Sequence, residues 1–141
     1  MSSLEKRAWL SLWSMCPAYL LYFTIQIGYP SLFTTLLERI ACLAAVASFH
    51  AVVYVAGLIA MKRRETKDES FDDERDRAID ARATRTAYFV LLTGIILVGM
   101  VMPFSSSGWE IVNSALFMIV LAEATRYALM VVGYRRPRLA Y

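Results

Sequence analysis

The chain has 141 residues, of which 58% are hydrophobic, and its mean hydropathy is +0.48. This apolar share exceeds the roughly 45–50% of ordinary soluble domains, so it excludes a typical soluble globular protein and indicates an integral membrane protein. The net charge is +3, but basic residues beside membrane segments follow from membrane topology, so we do not predict direct contact with nucleic acid.

Two apolar runs in the first half of the chain are long enough to cross a bilayer. About 20 helical residues span a hydrocarbon core of ~30 Å, and the runs 8–28 and 40–61 meet this length. The first run is too long for a cleaved signal peptide, contains Pro17, and has no small-residue cleavage site. In the second run, four small residues recur at helical spacing and would let another helix approach closely: Ala44, Ala47, Ser48 and Ala51. The alternative is an Ala-rich span without such a partner.

The second half of the chain repeats this pattern with apolar runs at 86–102 and 110–134, separated by Pro103 and a short polar turn. We therefore predict a single all-α domain, an integral membrane four-helix bundle in contact with the lipid bilayer. Cys16 and Cys42 both lie in apolar runs, where a thiol behaves as a small hydrophobic group, so they predict neither a disulfide framework nor a metal site.

Residues 61–85 form the only long polar segment, with eight basic and eight acidic residues. Four spans place its loop and helix, residues 62–85, on the same side as both termini. Thirteen of the fifteen basic residues lie in these three parts of the chain. By the positive-inside rule, we predict that both termini and residues 62–85 are cytoplasmic.

Within this segment, Ser70 and Asp73 have the spacing of a capping box, which predicts a helix that begins near Phe71. No proline intervenes before the apolar run at 86–102, so we predict that the third helix extends into the cytoplasm. Asp73 with Arg77, and Asp72 with Arg75, have the spacing of ion pairs along its surface.

Two interpretations of this charged helix remain open. It is either a solvated, self-paired stalk, or a docking surface for a cytoplasmic protein or for a second copy of the chain in a homodimer. A divalent-cation site on its aspartates is disfavoured because interleaved arginines compete for the same carboxylates. The candidate partner-binding residues are Asp72, Asp73, Glu74, Arg75, Asp76, Arg77 and Asp80.

Three ionisable residues form a second candidate site inside the membrane. Glu123 and Arg126 share a helix face in the fourth span, and His50 lies near the middle of the second span. Charges at the bilayer centre cost ~2.5–3.5 kcal/mol each, so these residues should face the bundle, and they would meet if spans two and four are neighbours. In the alternative interpretation, Glu123 and Arg126 neutralise each other and His50 donates a hydrogen bond to a carbonyl.

Cofactor and enzyme chemistry find little support in the sequence. Bis-histidine haem ligation needs a second histidine, and His50 is the only one in the chain, so only a homodimer would supply both. No nucleophile elbow or Cys–His pairing is visible. We therefore predict no cofactor and favour a non-enzymatic function.

The sequence Asp73, Glu74, Arg75, Asp76 before the third span, together with Tyr134, Arg135 and Arg136 after the fourth, resembles a family of small bacterial four-helix membrane proteins of uncharacterised function. The resemblance covers the topology of the whole chain but specific residues only in these two places. It implies a multi-pass protein of the bacterial inner (cytoplasmic) membrane. Members look like companions of small helix-turn-helix regulators, which implies membrane sequestration or sensing.

Two functions from different classes follow. The first is an interaction or regulatory protein whose charged cytoplasmic helix docks a partner, such as a small helix-turn-helix regulator. The second is a small oligomeric transporter or ion-coupled protein that uses His50, Glu123 and Arg126. We favour the first, because most of the polar residues are on the predicted cytoplasmic side and a single four-helix chain leaves little room for a transport path.

Overall fold

The computed structural model describes residues 3–64 and 74–135. Within these two stretches, four long helices are each long and apolar enough to cross a membrane, which confirms the predicted all-α membrane bundle. The predicted cap residues Ser70 and Asp73, and the predicted helix start near Phe71, lie outside the described residues. The helices are α1 (Ser3–Gly28), α2 (Leu36–Arg64), α3 (Glu74–Ile96) and α4 (Gly108–Arg135).

The third span continues beyond α3 through two short turns. A π-helical turn covers Leu97–Val101, and a 3-10 turn covers Met102–Phe104. Together with α3 they form one candidate span, Glu74–Phe104. α3 thus begins at Glu74, well before the apolar run that starts at residue 86. Its first turns are charged and precede that run.

The helices pack in the order α2, α1, α4, α3. α1 contacts α2 on one side and α4 on the other, and α4 also packs along α3. Among the described residues, α2 makes no comparable contact with α3 or α4. Most of α2 is therefore exposed, which suits apolar side chains that face lipid, and the small residues Ala44, Ser48 and Ala51 are on this exposed surface.

One face of α1 is buried at the centre of the bundle. Its buried residues recur three or four positions apart, which is the period of one helix face. Ser11, Ser14 and Gln26 give this face a polar character, although α1 is an apolar span. Since lipid offers no hydrogen bonds, polar side chains belong inside the bundle. The buried face comprises Ala8, Ser11, Ser14, Met15, Ala18, Tyr22, Phe23 and Gln26.

A hydrophobic cluster closes the end of the bundle where α1 and α3 begin and where α2 and α4 end. We call this the basic end, because Lys6, Arg7, Lys62, Arg63 and Arg135 lie there. Ala8 of α1, Ala83 of α3, and Met130 and Val131 of α4 form the cluster. The Arg135 guanidinium lies 5.2 Å from the centre of the Trp9 ring and so joins the end of α4 to the start of α1.

At the opposite end, the loop end, α2 and α4 each begin with a capping box. Glu38 accepts a hydrogen bond from the Thr35 backbone nitrogen at 3.1 Å, and Thr35 Oγ1 accepts one from the Glu38 nitrogen at 3.3 Å. Ser107 and Glu110 repeat this arrangement with distances of 2.7 Å and 3.4 Å. These caps explain why α2 begins at Leu36 and α4 at Gly108, before the predicted spans at 40 and 110.

Glycines allow close approach at three helix contacts. A Cβ atom built on Gly57 of α2 would overlap with Leu10 Cδ1 of α1. On α3, a Cβ on Gly94 would lie 2.6 Å from Met118 Sδ, and on α4 a Cβ on Gly133 would lie 2.8 Å from Ile79 Cγ2. Gly94 tolerates a side chain least, because the added Cβ would also lie 2.9 Å from Met118 Cβ, which is fixed by its helix.

Replacing Gly94 with leucine should destabilise the bundle by ~1–3 kcal/mol, because the added side chain overpacks the contact with Met118. Unfolding in detergent micelles titrated with sodium dodecyl sulfate, followed by circular dichroism, measures this loss. The matched control is Gly99→Leu, where no atom lies within 4 Å of the added Cβ. Equal losses in the two variants would show that the α3–α4 contact does not require Gly94.

Candidate functional site

A polar cavity of about 240 Å³ lies between α1, α2 and α4. Each of these helices contributes two residues four positions apart, and residues at this spacing lie on the same helix face. Five of the six carry a hydroxyl, imidazole or carboxylate group, and we call the cavity polar for these groups, although most of its exposed lining is apolar. The lining residues are Ser11 and Met15 of α1, His50 and Tyr54 of α2, and Glu123 and Tyr127 of α4.

The cavity is located near the middle of the membrane-spanning helices. His50 is 14 residues from either end of α2, which is ~21 Å of helix. Glu123 is 15 residues from the start of α4 and 12 from its end, or ~22 Å and ~18 Å. The cavity therefore places a carboxyl and an imidazole group within the membrane-spanning part of the bundle, where charge is costly.

Tyrosine rings surround the imidazole of His50. The Tyr19 ring meets it edge-on, with 5.6 Å between the ring centres, and the Tyr54 ring lies 6.2 Å away on the same helix. In the described parts of the chain, His50 makes no hydrogen bond to a carbonyl, which the alternative interpretation of this residue required. Aromatic contacts from two helices therefore fix the position of the imidazole.

Two oxygen-bearing groups in the cavity lack partners among the described residues. Ser11 is only 4% exposed, and its Oγ makes no hydrogen bond. The Tyr127 hydroxyl is near enough to Ser11 to interact with it, but the two groups do not reach hydrogen-bond geometry. Glu123 is half-buried, and no hydrogen bond or ion pair joins it to another residue in these two stretches. The Ser11 Oγ atom and the Glu123 carboxylate are thus left without hydrogen-bond donors from the described residues.

Arg126 pairs with Asp80 of α3 and not with Glu123. Its Nη2 atom lies 3.0 Å from Asp80 Oδ1, and the two side chains are 32% and 38% exposed. Thr84 also donates a hydrogen bond to Asp80 Oδ1 at 3.4 Å. Glu123 acts on Arg126 only through a weaker electrostatic attraction. Of the three residues in the predicted intramembrane cluster, the structure brings His50 and Glu123 to one cavity and directs Arg126 toward α3.

The predicted partner-binding residues divide into outward and inward groups. Asp72 and Asp73 lie outside the described residues. Glu74 and Arg77 are exposed, and Arg75 is half-buried. Asp76 is only 8% exposed, and Asp80 is held by Arg126, so both of these acids face the bundle. Farther along the same helix, Arg82 and Arg85 are exposed.

A second cavity, of about 470 Å³, opens at the loop end beside the π-helical turn. Its lining comes from α1, this turn and α4, and is mainly apolar. Asn113 is among the few polar residues there, and its Oδ1 atom is buried without a hydrogen-bond partner in the described chain. An apolar cavity in a membrane protein is suited to hydrocarbon chains rather than to an ionic group.

The geometry predicts that Arg126 is coupled to Asp80 more strongly than to Glu123. A double-mutant cycle with Asp80→Asn and Arg126→Gln should give a coupling energy of about 1 kcal/mol, because the pair is only partly exposed. The matched cycle with Glu123→Gln and Arg126→Gln should give less than about 0.5 kcal/mol. Unfolding in mixed detergent micelles measures both coupling energies. A larger value for the second cycle would show that Arg126 interacts more strongly with Glu123 than with Asp80.

Comparison with known proteins supports the membrane assignment. No curated protein and no solved structure is significantly similar to the chain. A family of predicted membrane proteins, DUF2178, matches residues 18–138, which includes residues 18–28 of α1 and all of α2, α3 and α4. With its four membrane-spanning helices, the chain is a multi-pass membrane protein and belongs to the DUF2178 family.

Proposed function

We propose that this protein is a membrane-bound interaction or regulatory protein, and that the start of α3 docks a partner protein. The observation that carries this proposal is the division of charges on α3. Asp76 and Asp80 face the bundle, whereas Arg77, Arg82 and Arg85 are exposed. The α3 docking surface consists of the exposed charged residues Glu74, Arg77, Arg82 and Arg85.

Inward-facing acids would hold this surface in a fixed orientation. The Asp80–Arg126 ion pair joins α3 to α4, and Ile79 packs on the hydrophobic cluster at the basic end. Ala83, one turn later, is only 2% exposed and belongs to the same cluster. A partner would therefore meet a helix that is already ordered, which reduces the entropic cost of binding.

The exposed charges on the α3 docking surface indicate the chemistry of the partner. The described part of α3 exposes three arginines and one glutamate, so the surface carries an excess of positive charge. Complementary charge steers association and selects partners, so we infer a partner with an acidic surface. The resemblance to companions of small helix-turn-helix regulators makes such a regulator the first candidate, which the protein would hold at the cytoplasmic side of a bacterial inner membrane.

A small oligomeric transporter or ion-coupled protein is the second candidate function. The polar cavity with His50 and Glu123 favours it, because intramembrane ionisable groups commonly form transport paths. However, the hydrophobic cluster of Ala8, Ala83, Met130 and Val131 lies within about a turn of the cavity residues Ser11 and Tyr127, toward the basic end. A path through the cavity would need this cluster to open, whereas docking on α3 requires no rearrangement.

Docking in the cytoplasm requires that the basic end face inward. In a background with Cys16→Ala and Cys42→Ala, we expect Ser105→Cys, at the loop end, to react with a membrane-impermeant maleimide in intact spheroplasts. Lys62→Cys, at the basic end, should react only after permeabilisation. The reverse pattern would place the docking surface outside the cell.

Charge reversal tests the α3 docking surface directly. With Arg82→Glu and Arg85→Glu together, capture of the partner from the cytosol of the source cells should fall about ten-fold or more, because attraction becomes repulsion. Quantitative mass spectrometry of proteins bound to the purified, detergent-solubilised protein measures this change. The matched control is Lys62→Glu with Arg63→Glu, which reverses two exposed charges at the same end of the bundle but on α2.

The docking proposal would be wrong under either of two results. One is an acidic cytosolic protein that binds the Arg82→Glu, Arg85→Glu variant as well as it binds the parent. The other is an equal loss of capture in the control on α2, which would indicate a general effect of net charge rather than a surface on α3.

A further inference from the structure

We propose that the polar cavity between α1, α2 and α4 binds a small primary ammonium ion, with Glu123 as its counter-ion. This inference concerns a different site from the α3 docking surface and does not depend on it. It follows from the charge, the unsatisfied acceptor atoms and the size of the cavity.

The charge of Glu123 is the first argument. Glu123 lies near the middle of α4 and is not joined to a described residue by a hydrogen bond or an ion pair. The nearest basic side chain on its helix face, Arg126, is engaged with Asp80. A carboxylate inside a membrane-spanning bundle is costly unless it is neutralised. A cation in the cavity would supply the missing charge.

The chemistry of the lining selects the kind of cation. Beside the Glu123 carboxylate, the hydroxyl oxygens of Ser11, Tyr54 and Tyr127 can all accept hydrogen bonds. The buried Ser11 Oγ has no partner among the described residues. A primary ammonium group has three N–H donors and no acceptor, so it can satisfy the carboxylate and two hydroxyls at once. A quaternary ammonium ion has no donors and would leave these oxygens unsatisfied.

Metal ions fit this donor set poorly. The cavity offers one carboxylate and one imidazole, whereas calcium prefers several carboxylate or carbonyl oxygens. No group of three or more His, Cys, Asp or Glu side chains in residues 3–64 and 74–135 is arranged to hold a metal. The tyrosine rings, in contrast, suit an organic cation, because aromatic faces attract positive charge.

The size of the cavity limits the ligand to a small amine. Its volume of about 240 Å³ exceeds the ~30 Å³ share of one water molecule. It is smaller than the ~300–1,000 Å³ of sites for drug-sized ligands. Met15 supplies an apolar wall, which would contact a short alkyl chain.

Ethylammonium is the probe that tests the proposal. The protein is placed in nanodiscs of zwitterionic lipid, and binding is measured by saturation-transfer NMR, with protein-free nanodiscs as the background. We expect saturable binding with a dissociation constant of about 1 mM, the range open to a ligand of three heavy atoms. Ethanol, which lacks the charge, and tetramethylammonium, which lacks N–H donors, should each bind at least about ten-fold more weakly.

Variants assign the binding to the cavity. Glu123→Gln should weaken ethylammonium binding about ten-fold or more, because it removes the counter-ion. Ser11→Ala should weaken it several-fold and provides a second test that leaves Glu123 in place. The matched control is Glu5→Gln, which removes a carboxylate from the first turn of α1, outside the cavity, and should bind as the parent does.

Three results would overturn the proposal. The first is the absence of saturable ethylammonium binding to the parent protein. The second is equal binding by the parent and by both cavity variants. The third is equal binding of ethanol or tetramethylammonium. All three are measured on the purified protein without a partner, so they leave the test of the α3 docking surface unaffected.

Discussion

A polar side chain is costly when it faces lipid, and this constraint determines the position of α1. α1 carries Ser11, Ser14 and Gln26 on one face, and it lies between α2 and α4 so that this face is buried. The polar residues of α2 and α4 then meet the same face. The cavity therefore forms on the polar face of α1, where α2 and α4 both approach it.

The architecture could be predicted from the sequence because each span is set by local properties. An apolar run of about 20 residues in lipid forms a helix, since only a helix satisfies its own backbone there. The starts of α2 and α4 were also readable. Thr35 with Glu38, and Ser107 with Glu110, have the capping-box spacing, although the predictions applied this pattern only to Ser70 and Asp73.

The pairing of Arg126 could not be predicted from local spacing. Glu123 lies one turn away on the same helix, yet Arg126 pairs with Asp80, which is 46 positions away in the chain. This choice depends on the packing of α4 along α3, which the sequence of neither helix reveals. The same packing buries Asp76, although the sequence pattern predicts that Asp76 is one of the exposed charges of the docking segment.

The cavity was only partly accessible to prediction for a related reason. His50 and Glu123 were expected to meet if α2 and α4 were direct neighbours. In the structure they reach one cavity although α2 and α4 make little contact, because each packs on α1. Ser11 and Met15, the two lining residues from α1, lie in a run that the sequence identifies only as an apolar span. The spacing of the buried positions on α1, including its serines, was the signal that could have identified them.

The two proposed sites are connected through Arg126. Its guanidinium is attracted both by Asp80, at 3.0 Å, and more weakly by Glu123. A cation bound at Glu123 would cancel the weaker attraction and add a positive charge nearby. Both effects would favour the ion pair between Arg126 and Asp80. Asp80 belongs to the stretch of α3 that presents the docking surface. Occupation of the cavity would therefore tighten the anchor of that surface, a coupling that a regulatory protein requires and that simple docking does not.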